Sequence, residues 1–208
     1  MLLSFYAYSQ VPIENSYYKV LSYGDKIDFG NIEKGVTWQV SSSDAVLPPV
    51  YLLDNEINNF VFKKSGIYTI KFNDSPSHLN NECNHSSIPQ VMNIKVSPIN
   101  IKFDLTKVKL SQRIQVGRDC EGIIVTVPIL VNLEGMESVT VEIPDFQIAG
   151  VGSNITAKLA QQEIVVKKGI NMLTYHLSGV ANSKAYLMLD FTDNNNDVHS
   201  YNYNELFK

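Results

Sequence analysis

The chain has 208 residues, of which 44% are apolar, so it has room for one large domain or two of about 100 residues each. Its 17 basic and 21 acidic residues give a formal net charge of -4. Lys and Arg cluster only as the pairs Lys63-Lys64 and Lys167-Lys168, which argues against nucleic acid as a partner. The 11 Tyr and 9 Phe accompany many Val, Ile and Thr, a composition that favours β structure. No stretch after the first residues approaches the roughly 20 apolar residues of a membrane helix, so the sequence predicts no transmembrane segment.

The first residues form an apolar run that ends in small residues at Ala7 and Ser9. These two have the spacing of the -3 and -1 positions of a signal-peptidase site. We therefore interpret residues 1–9 as the remnant of an export signal. A basic n-region is missing, and a hydrophobic first strand is the alternative interpretation. The Ser-Gln ending resembles export signals of Bacteroidota.

Strands are predicted at short intervals through the first half of the chain. Trp38, the only tryptophan, lies within the alternating stretch 36–40 and is predicted to fill a core rather than to bind a ligand. Residues 50–54 and 58–63 are predicted to form a hairpin that leads into the next strand.

The clearest strand signal follows a Ser65-Gly66 turn, because Tyr68, Ile70 and Phe72 alternate and share one face. The stretch beginning at Gly66 resembles the Gly-x-Tyr-x-Ile/Val strand of PKD-type and related immunoglobulin-like modules in Bacteroidota envelope proteins. The resemblance implies a strand that crosses the core of a β-sandwich near its end.

A long polar segment, residues 74–89, follows without clean periodicity. Loops of this length are uncommon and are often functional or disordered. Residues 90–96 then read as a closing strand with Met92, Ile94 and Val96 on one face. Ser97-Pro98 is the predicted domain boundary, because proline ends a strand ladder.

The second half of the chain likewise consists of short predicted strands separated by turns. Residues 123–131 are predicted to form the central buried strand, in which Pro128 demands a bulge or an edge position. A strand after Lys167-Lys168-Gly169 resembles those of other bacterial Ig-like and fibronectin-like modules. The fold prediction is therefore all-β, with two tandem immunoglobulin-like β-sandwich domains. Residues 10–97 would form an Ig-like/PKD-like domain and residues 98–208 a second Ig-like domain.

The predicted route of partner binding is an exposed strand edge, the long loop at residues 74–89, or both. The candidate residues of the loop are His78, Asn80, Asn81, Glu82, Cys83, Asn84 and His85. The residue types suit zinc, but the paired spacing of a structural zinc site is missing, so we predict a polar loop without metal. Cys83 and Cys120, the only cysteines, are a candidate disulfide in an oxidising compartment.

Two further patterns have a functional and a structural interpretation. Asp193, Asn195 and Asp197 alternate oxygen ligands, but they lack the glycine and the later acidic residue of an EF-hand, so a tight turn is favoured. Surface tyrosines could stack on sugar rings, although packing is the favoured interpretation. The tyrosines concerned are Tyr17, Tyr18, Tyr201 and Tyr203.

Motifs for catalysis are missing: there is no Gly-x-Ser-x-Gly elbow, phosphate loop, His-Glu-x-x-His or dinucleotide fingerprint. The sequence therefore predicts a protein that is not an enzyme and has no cofactor. We predict a noncatalytic adaptor subunit of a cell-envelope complex, periplasmic or exported and outer-membrane-associated. Its partner would be an outer-membrane protein, and one specific form is an accessory or plug subunit of a secretion translocon. The alternative is an extracellular carbohydrate-binding or adhesin module.

Overall fold

A computed structural model describes residues 17–32, 34–73 and 88–204. Within these ranges the chain is all-β, as predicted, and its only helical elements are short 3-10 turns. The first five strands are β1 (Tyr17–Ser22), β2 (Thr37–Ser42), β3 (Val50–Leu53), β4 (Gly66–Asn73) and β5 (Val91–Ser97). The next five are β6 (Ile99–Phe103), β7 (Lys109–Leu110), β8 (Ile124–Leu133), β9 (Ser138–Glu142) and β10 (Gln147–Ala149). The last five are β11 (Thr156–Leu159), β12 (Glu163–Lys167), β13 (Gly169–Ser178), β14 (Leu187–Thr192) and β15 (Val198–Tyr203).

The chain divides into two compact units, neither of which is continuous in sequence. The first unit comprises Met1–Lys19, Ile27–Phe60 and Ile67–Lys95, and the second comprises Val20–Lys26, Val61–Gly66 and Val96–Lys208. The division into tandem domains at Ser97-Pro98 stays a prediction.

One five-stranded sheet, in the order β1-β5-β4-β2-β3, organises the first unit. The predicted strand at Tyr68, Ile70 and Phe72 is confirmed as β4, with Tyr68 and Ile70 buried. The predicted closing strand is confirmed as β5, whose Met92, Ile94 and Val96 are all buried.

Trp38 is fully buried at the centre of the first unit, as predicted. Its ring stacks on Phe29 with centroids 5.0 Å apart and contacts Phe72 at 4.8 Å. Its Nε1 donates a hydrogen bond to the carbonyl of Asp54 at 2.9 Å. The polar atom of the indole is therefore satisfied inside the core, as burial of a tryptophan requires.

The hairpin predicted from residues 50–54 and 58–63 is wrong. β3 pairs antiparallel with β2, and Asp54–Asn59 forms a 3-10 turn. No strand covers residues 58–63, although Phe62 and the preceding Ile57 are fully buried.

The second unit contains a sheet in the order β11-β13-β8-β6, with β7 also paired to β8, a sheet in the order β10-β14-β15, and the pair β12-β9. Inward side chains of these strands form one continuous apolar core. Tyr175 lies at its centre, fully buried, with its ring edge against Phe146 at 4.8 Å.

The predicted central strand is confirmed as β8, which pairs with β13 on one side and with β6 and β7 on the other. Pro128 occupies neither a bulge nor an edge. It lies where β6 has ended opposite Ile129 and β7 has not yet begun opposite Thr126. Its carbonyl accepts the Asp104 N–H on that side at 2.9 Å, so the missing proline N–H interrupts no ladder bond to β13.

Candidate partner-binding edge

Strand β3 is an outer strand of the first unit's sheet, because β2 is its only pairing partner among the described strands. The outer side of such a strand carries backbone donors and acceptors that no neighbouring strand uses. An extended segment of another protein can bind there by adding a further strand. β3 is therefore a candidate docking site.

The hydrogen bonds around β3 show which of its backbone groups point outwards. The Asp54 N–H donates inwards to the Val36 carbonyl at 3.0 Å, whereas the Leu53 N–H donates to the Glu56 carboxylate at 2.8 Å. Because successive residues of a strand alternate in direction, Tyr51 faces the same side as Leu53. Its N–H and C=O point away from β2.

The side chains on this edge are apolar and exposed. Tyr51 is 73% exposed and Leu53 is 58% exposed, and the two lie on the outer face of the sheet. Val50 is 38% exposed on the opposite face, where it continues the row that contains Val40. Exposed apolar residues beside an unpaired edge are what a strand-adding partner buries.

Two features limit the length of the open edge. Pro48-Pro49 precedes β3, and neither proline has a backbone donor. At the other end, the Glu56 carboxylate occupies the Leu53 N–H. A carboxylate oxygen accepts a hydrogen bond as the carbonyl of a partner strand would. Glu56 therefore covers one of the outward donors, and Tyr51 keeps both of its groups exposed.

Asp54 directly follows β3 and connects it to the core. It has a left-handed backbone with φ of 46°, which is uncommon outside glycine, asparagine and aspartate. Its Oδ1 accepts the N–H groups of Gly35 at 2.7 Å and Val36 at 3.2 Å, and its carbonyl accepts the Trp38 indole. These contacts hold the end of β3 against the buried tryptophan.

The site predicted from sequence, from His78 to His85, lies outside the described residues. Cys83 lies there too, so its pairing with Cys120 stays a prediction. Cys120 is fully buried in the core of the second unit, and this burial raises the pKa of its thiol.

The Asp193 segment forms the tight turn that was favoured from sequence. Asp193 Oδ1 accepts the N–H groups of Asn195 at 2.8 Å and Asp197 at 3.0 Å, and Asn196 has φ of 68°. This carboxylate oxygen is thus used by the turn that joins β14 to β15. Among the described residues, no three His, Cys, Asp or Glu side chains are grouped so that they could hold a metal ion.

The tyrosines considered for sugar stacking are dispersed. Tyr203 is buried and its hydroxyl accepts the Ile114 N–H at 3.2 Å, and Tyr201 is half-buried. The side chain of Tyr17 lies outside the described part of the chain, whereas Tyr18 is 60% exposed and Tyr51 of the same sheet is 73% exposed. Tyr18 and Tyr51 lie on its two opposite outer strands, about 19 Å apart at 4.8 Å per strand, so they form no common platform.

The sequence predicted contact through an exposed strand edge but did not identify β3 as that strand, because the residues of a strand do not show its position in the sheet. One signal was present: Pro48-Pro49 stands directly before an apolar run, and proline next to a strand is frequent at sheet edges.

No protein-family model matches this chain, and no curated protein is similar enough to match it. In the described ranges, no helix has the length and apolar character needed to cross a membrane.

Proposed function

We propose that this protein is a noncatalytic adaptor that captures a partner protein by strand addition at β3. The observation that carries the proposal is the outward N–H and C=O of Tyr51, on an outer strand whose Tyr51 and Leu53 side chains are exposed. Backbone pairing supplies affinity in this mode of binding, and the alternating side chains supply specificity.

We also propose that both units are immunoglobulin-like sandwiches. In the second unit, the orders β11-β13-β8-β6 and β10-β14-β15 correspond to strands D-E-B-A and C-F-G of a constant-type domain. In the first unit, β5-β4-β2-β3 corresponds to G-F-C-C′, with the buried Trp38 on strand C. Such sandwiches commonly serve as binding modules, and this supports an adaptor by analogy of fold alone.

The proposed setting is the bacterial envelope, with an outer-membrane protein as the partner. This part of the proposal rests on the export-like pattern of residues 1–9 and on the resemblance of the Gly66 strand to envelope modules. An accessory subunit of a secretion translocon remains the specific form that we propose for this setting.

The test is affinity capture from gently solubilised envelope membranes with two matched variants, Tyr51→Pro and Tyr51→Phe. Proline removes the outward N–H without removing a ladder bond to β2, whereas phenylalanine keeps both the N–H and the ring. We expect one envelope protein to be recovered in stoichiometric amount by the wild type and by Tyr51→Phe, and to be lost with Tyr51→Pro.

Equal recovery with both variants would contradict docking at β3, provided that both unfold at the same temperature as the wild type. Saturable binding of the isolated protein to glycans, abolished in Tyr18→Ala, would instead favour the carbohydrate-binding alternative.

A further inference from the structure

We infer that the second unit contains a separate docking surface, formed by the first half of β13 and the adjoining face of β8, for an extended acidic segment of a partner protein. We name it the β13 surface and define it by Leu130, Ile170 and Met172 together with Pro128. Its residues all belong to the second unit, and the inference does not rest on the proposed function of β3.

The first half of β13 is paired on one side only. β8 pairs with β13 along Gly169–His176, whereas β11 pairs only with Tyr175–Ser178, and Ala160 N–H reaches the Thr174 carbonyl at 2.9 Å. N-terminal to Thr174, no strand in the described part of the chain occupies the side of β13 away from β8.

The direction of the open groups follows from the ladder. The Leu177 N–H donates to Ile123 on the β8 side at 3.0 Å, whereas the Thr174 carbonyl faces β11. By alternation, the backbone N–H and C=O groups of Ile170 and Met172 point to the open side.

A corner at the start of β13 keeps the preceding strand away from this edge. Asn171 Oδ1 accepts the Lys167 N–H at 2.9 Å, and its Nδ2 donates to the carbonyls of Lys167 at 2.7 Å and Gly169 at 3.1 Å. Gly169 has φ of 103°, a conformation that other residues rarely adopt. β12 consequently pairs with β9 and leaves β13 uncovered.

The face beside this open edge is apolar. Ile170 lies opposite Leu130, and Met172 lies opposite Pro128. Ile170 is 78% exposed, Met172 57% and Leu130 44%. Directly opposed side chains on neighbouring strands are in contact range, so these four residues form one contiguous exposed patch, which marks an interaction site more often than an isolated apolar residue does.

The charges around the patch indicate the charge of the segment that would bind there. Lys158 lies opposite His176 on the same face, and Lys167 and Lys168 precede β13. In the described chain, these three lysines have no ion-pair partner. Lys102 lies opposite Leu130 and is 3.4 Å from Asp25.

Acidic side chains are missing from the outward positions of β6, β8, β11 and β13, although the whole chain has a net charge of -4. A basic and apolar face with an open strand edge is complementary to a segment that alternates carboxylates with apolar residues. The lysines would meet the carboxylates while the patch covers the apolar side chains.

The test uses the whole chain, labelled with ¹⁵N, and two end-blocked seven-residue peptides that alternate valine with either glutamate or lysine. We expect the glutamate peptide to shift the amide signals of Ile170 and Met172, and to bind at least about tenfold more tightly than the lysine peptide. Raising the salt concentration should weaken its binding.

Two variants locate the contact. Met172→Pro removes the outward N–H and should weaken binding of the glutamate peptide by about tenfold, whereas Met172→Leu keeps the N–H and should bind like the wild type. Should Met172→Pro fail to fold, Met172→Glu keeps the backbone donor and should reverse the preference between the two peptides. Tyr51→Pro should change none of these results, so failure here and failure at β3 are distinguishable.

Equal binding of the two peptides, or signal changes confined to other residues, would overturn the inference. Self-association in sedimentation experiments that disappears in Met172→Pro would show that a second copy of the chain is the occupant. Sedimentation with anionic vesicles that disappears in Met172→Glu would show a lipid surface instead. Either outcome would mean that the occupant of the β13 surface is not an acidic segment of a partner protein.

Discussion

Trp38 in the first unit and Tyr175 in the second are both fully buried aromatic residues, but they are connected differently to the open edges at β3 and β13. In the first unit, the Trp38 indole donates to the carbonyl of Asp54, the residue that directly follows β3. In the second, the buried Tyr175 hydroxyl has no hydrogen-bond partner among the described residues, and pairing with β8 holds the open half of β13 without it. A change in the core should therefore reach the edge in the first unit and not in the second.

The largest expected effect is that of Trp38→Ala. Removal of this fully buried ring should lower the free energy of unfolding by about 3–5 kcal/mol, and it should also weaken binding at β3 because Asp54 loses a contact. Urea unfolding measures the first effect and partner capture the second. Tyr18→Ala, an exposed residue of the same sheet, is the control. If a folded Trp38→Ala variant captured the partner as well as the wild type does, binding at β3 would not depend on the buried Trp38.

Proline substitutions at neighbouring positions test the direction of the backbone groups in both units. Leu52→Pro and Leu173→Pro remove inward ladder bonds and should each cost about 3 kcal/mol or more. Tyr51→Pro and Met172→Pro remove outward N–H groups and should each cost about 1 kcal/mol or less. Thermal unfolding of the four variants gives the comparison. Equal losses within a pair would mean that the open side has been assigned to the wrong residues.

Tyr175→Phe should stabilise the second unit by about 1 kcal/mol, because it removes a buried hydroxyl for which the described part of the chain provides no hydrogen-bond partner. Burial also raises the pKa of Tyr175, and the nearby Asp145 adds to the shift. The tyrosine therefore ionises more easily in the unfolded chain, and above about pH 10 the wild type should lose stability that the variant keeps.

Unfolding experiments at pH 7 and at pH 10.5 measure both effects of Tyr175→Phe. Binding of the glutamate peptide at the β13 surface should be unchanged. If Tyr175→Phe were less stable than the wild type, the Tyr175 hydroxyl would have a hydrogen-bond partner, and Tyr175 would no longer differ from Trp38 in this respect.

The smallest expected effect is that of Glu56→Ala, which releases the Leu53 N–H. Hydrogen exchange at that amide should accelerate, and partner capture at β3 should strengthen about threefold, as expected for one freed donor. Glu56→Gln keeps an acceptor oxygen and should behave like the wild type. Weaker capture in Glu56→Ala would mean that the carboxylate contacts the partner rather than competing with it.

Alternation identified β4 and β5, because a half-buried strand must place every second side chain in the core. A nearly continuous apolar run identified β8. The hairpin predicted from residues 50–54 and 58–63 was wrong, because Asp54–Asn59 forms a 3-10 turn. The position of Pro128 was also predicted wrongly, since the sequence does not show where the partner strands β6 and β7 end.

The sequence predicted the candidate site less well than it predicted the fold. The loop from His78 to His85 was chosen for its length and composition, and it stays a prediction. An exposed strand edge was predicted as a binding route, but neither β3 nor β13 was identified as the open strand, since the residues of both are typical of ordinary strands.

The sequence by itself determined the all-β class, the core positions of Trp38 and of the alternating strands, and the turn at Asp193, because each depends on local periodicity or on the chemistry of a few adjacent residues. Only the tertiary structure decided which strands are left unpaired and which donors are covered. Those properties depend on which other strands of the sheet pair with a given strand: β2 pairs with one side of β3, and β8 with one side of β13. An open edge is a property of the sheet, so the residues of one strand cannot specify it.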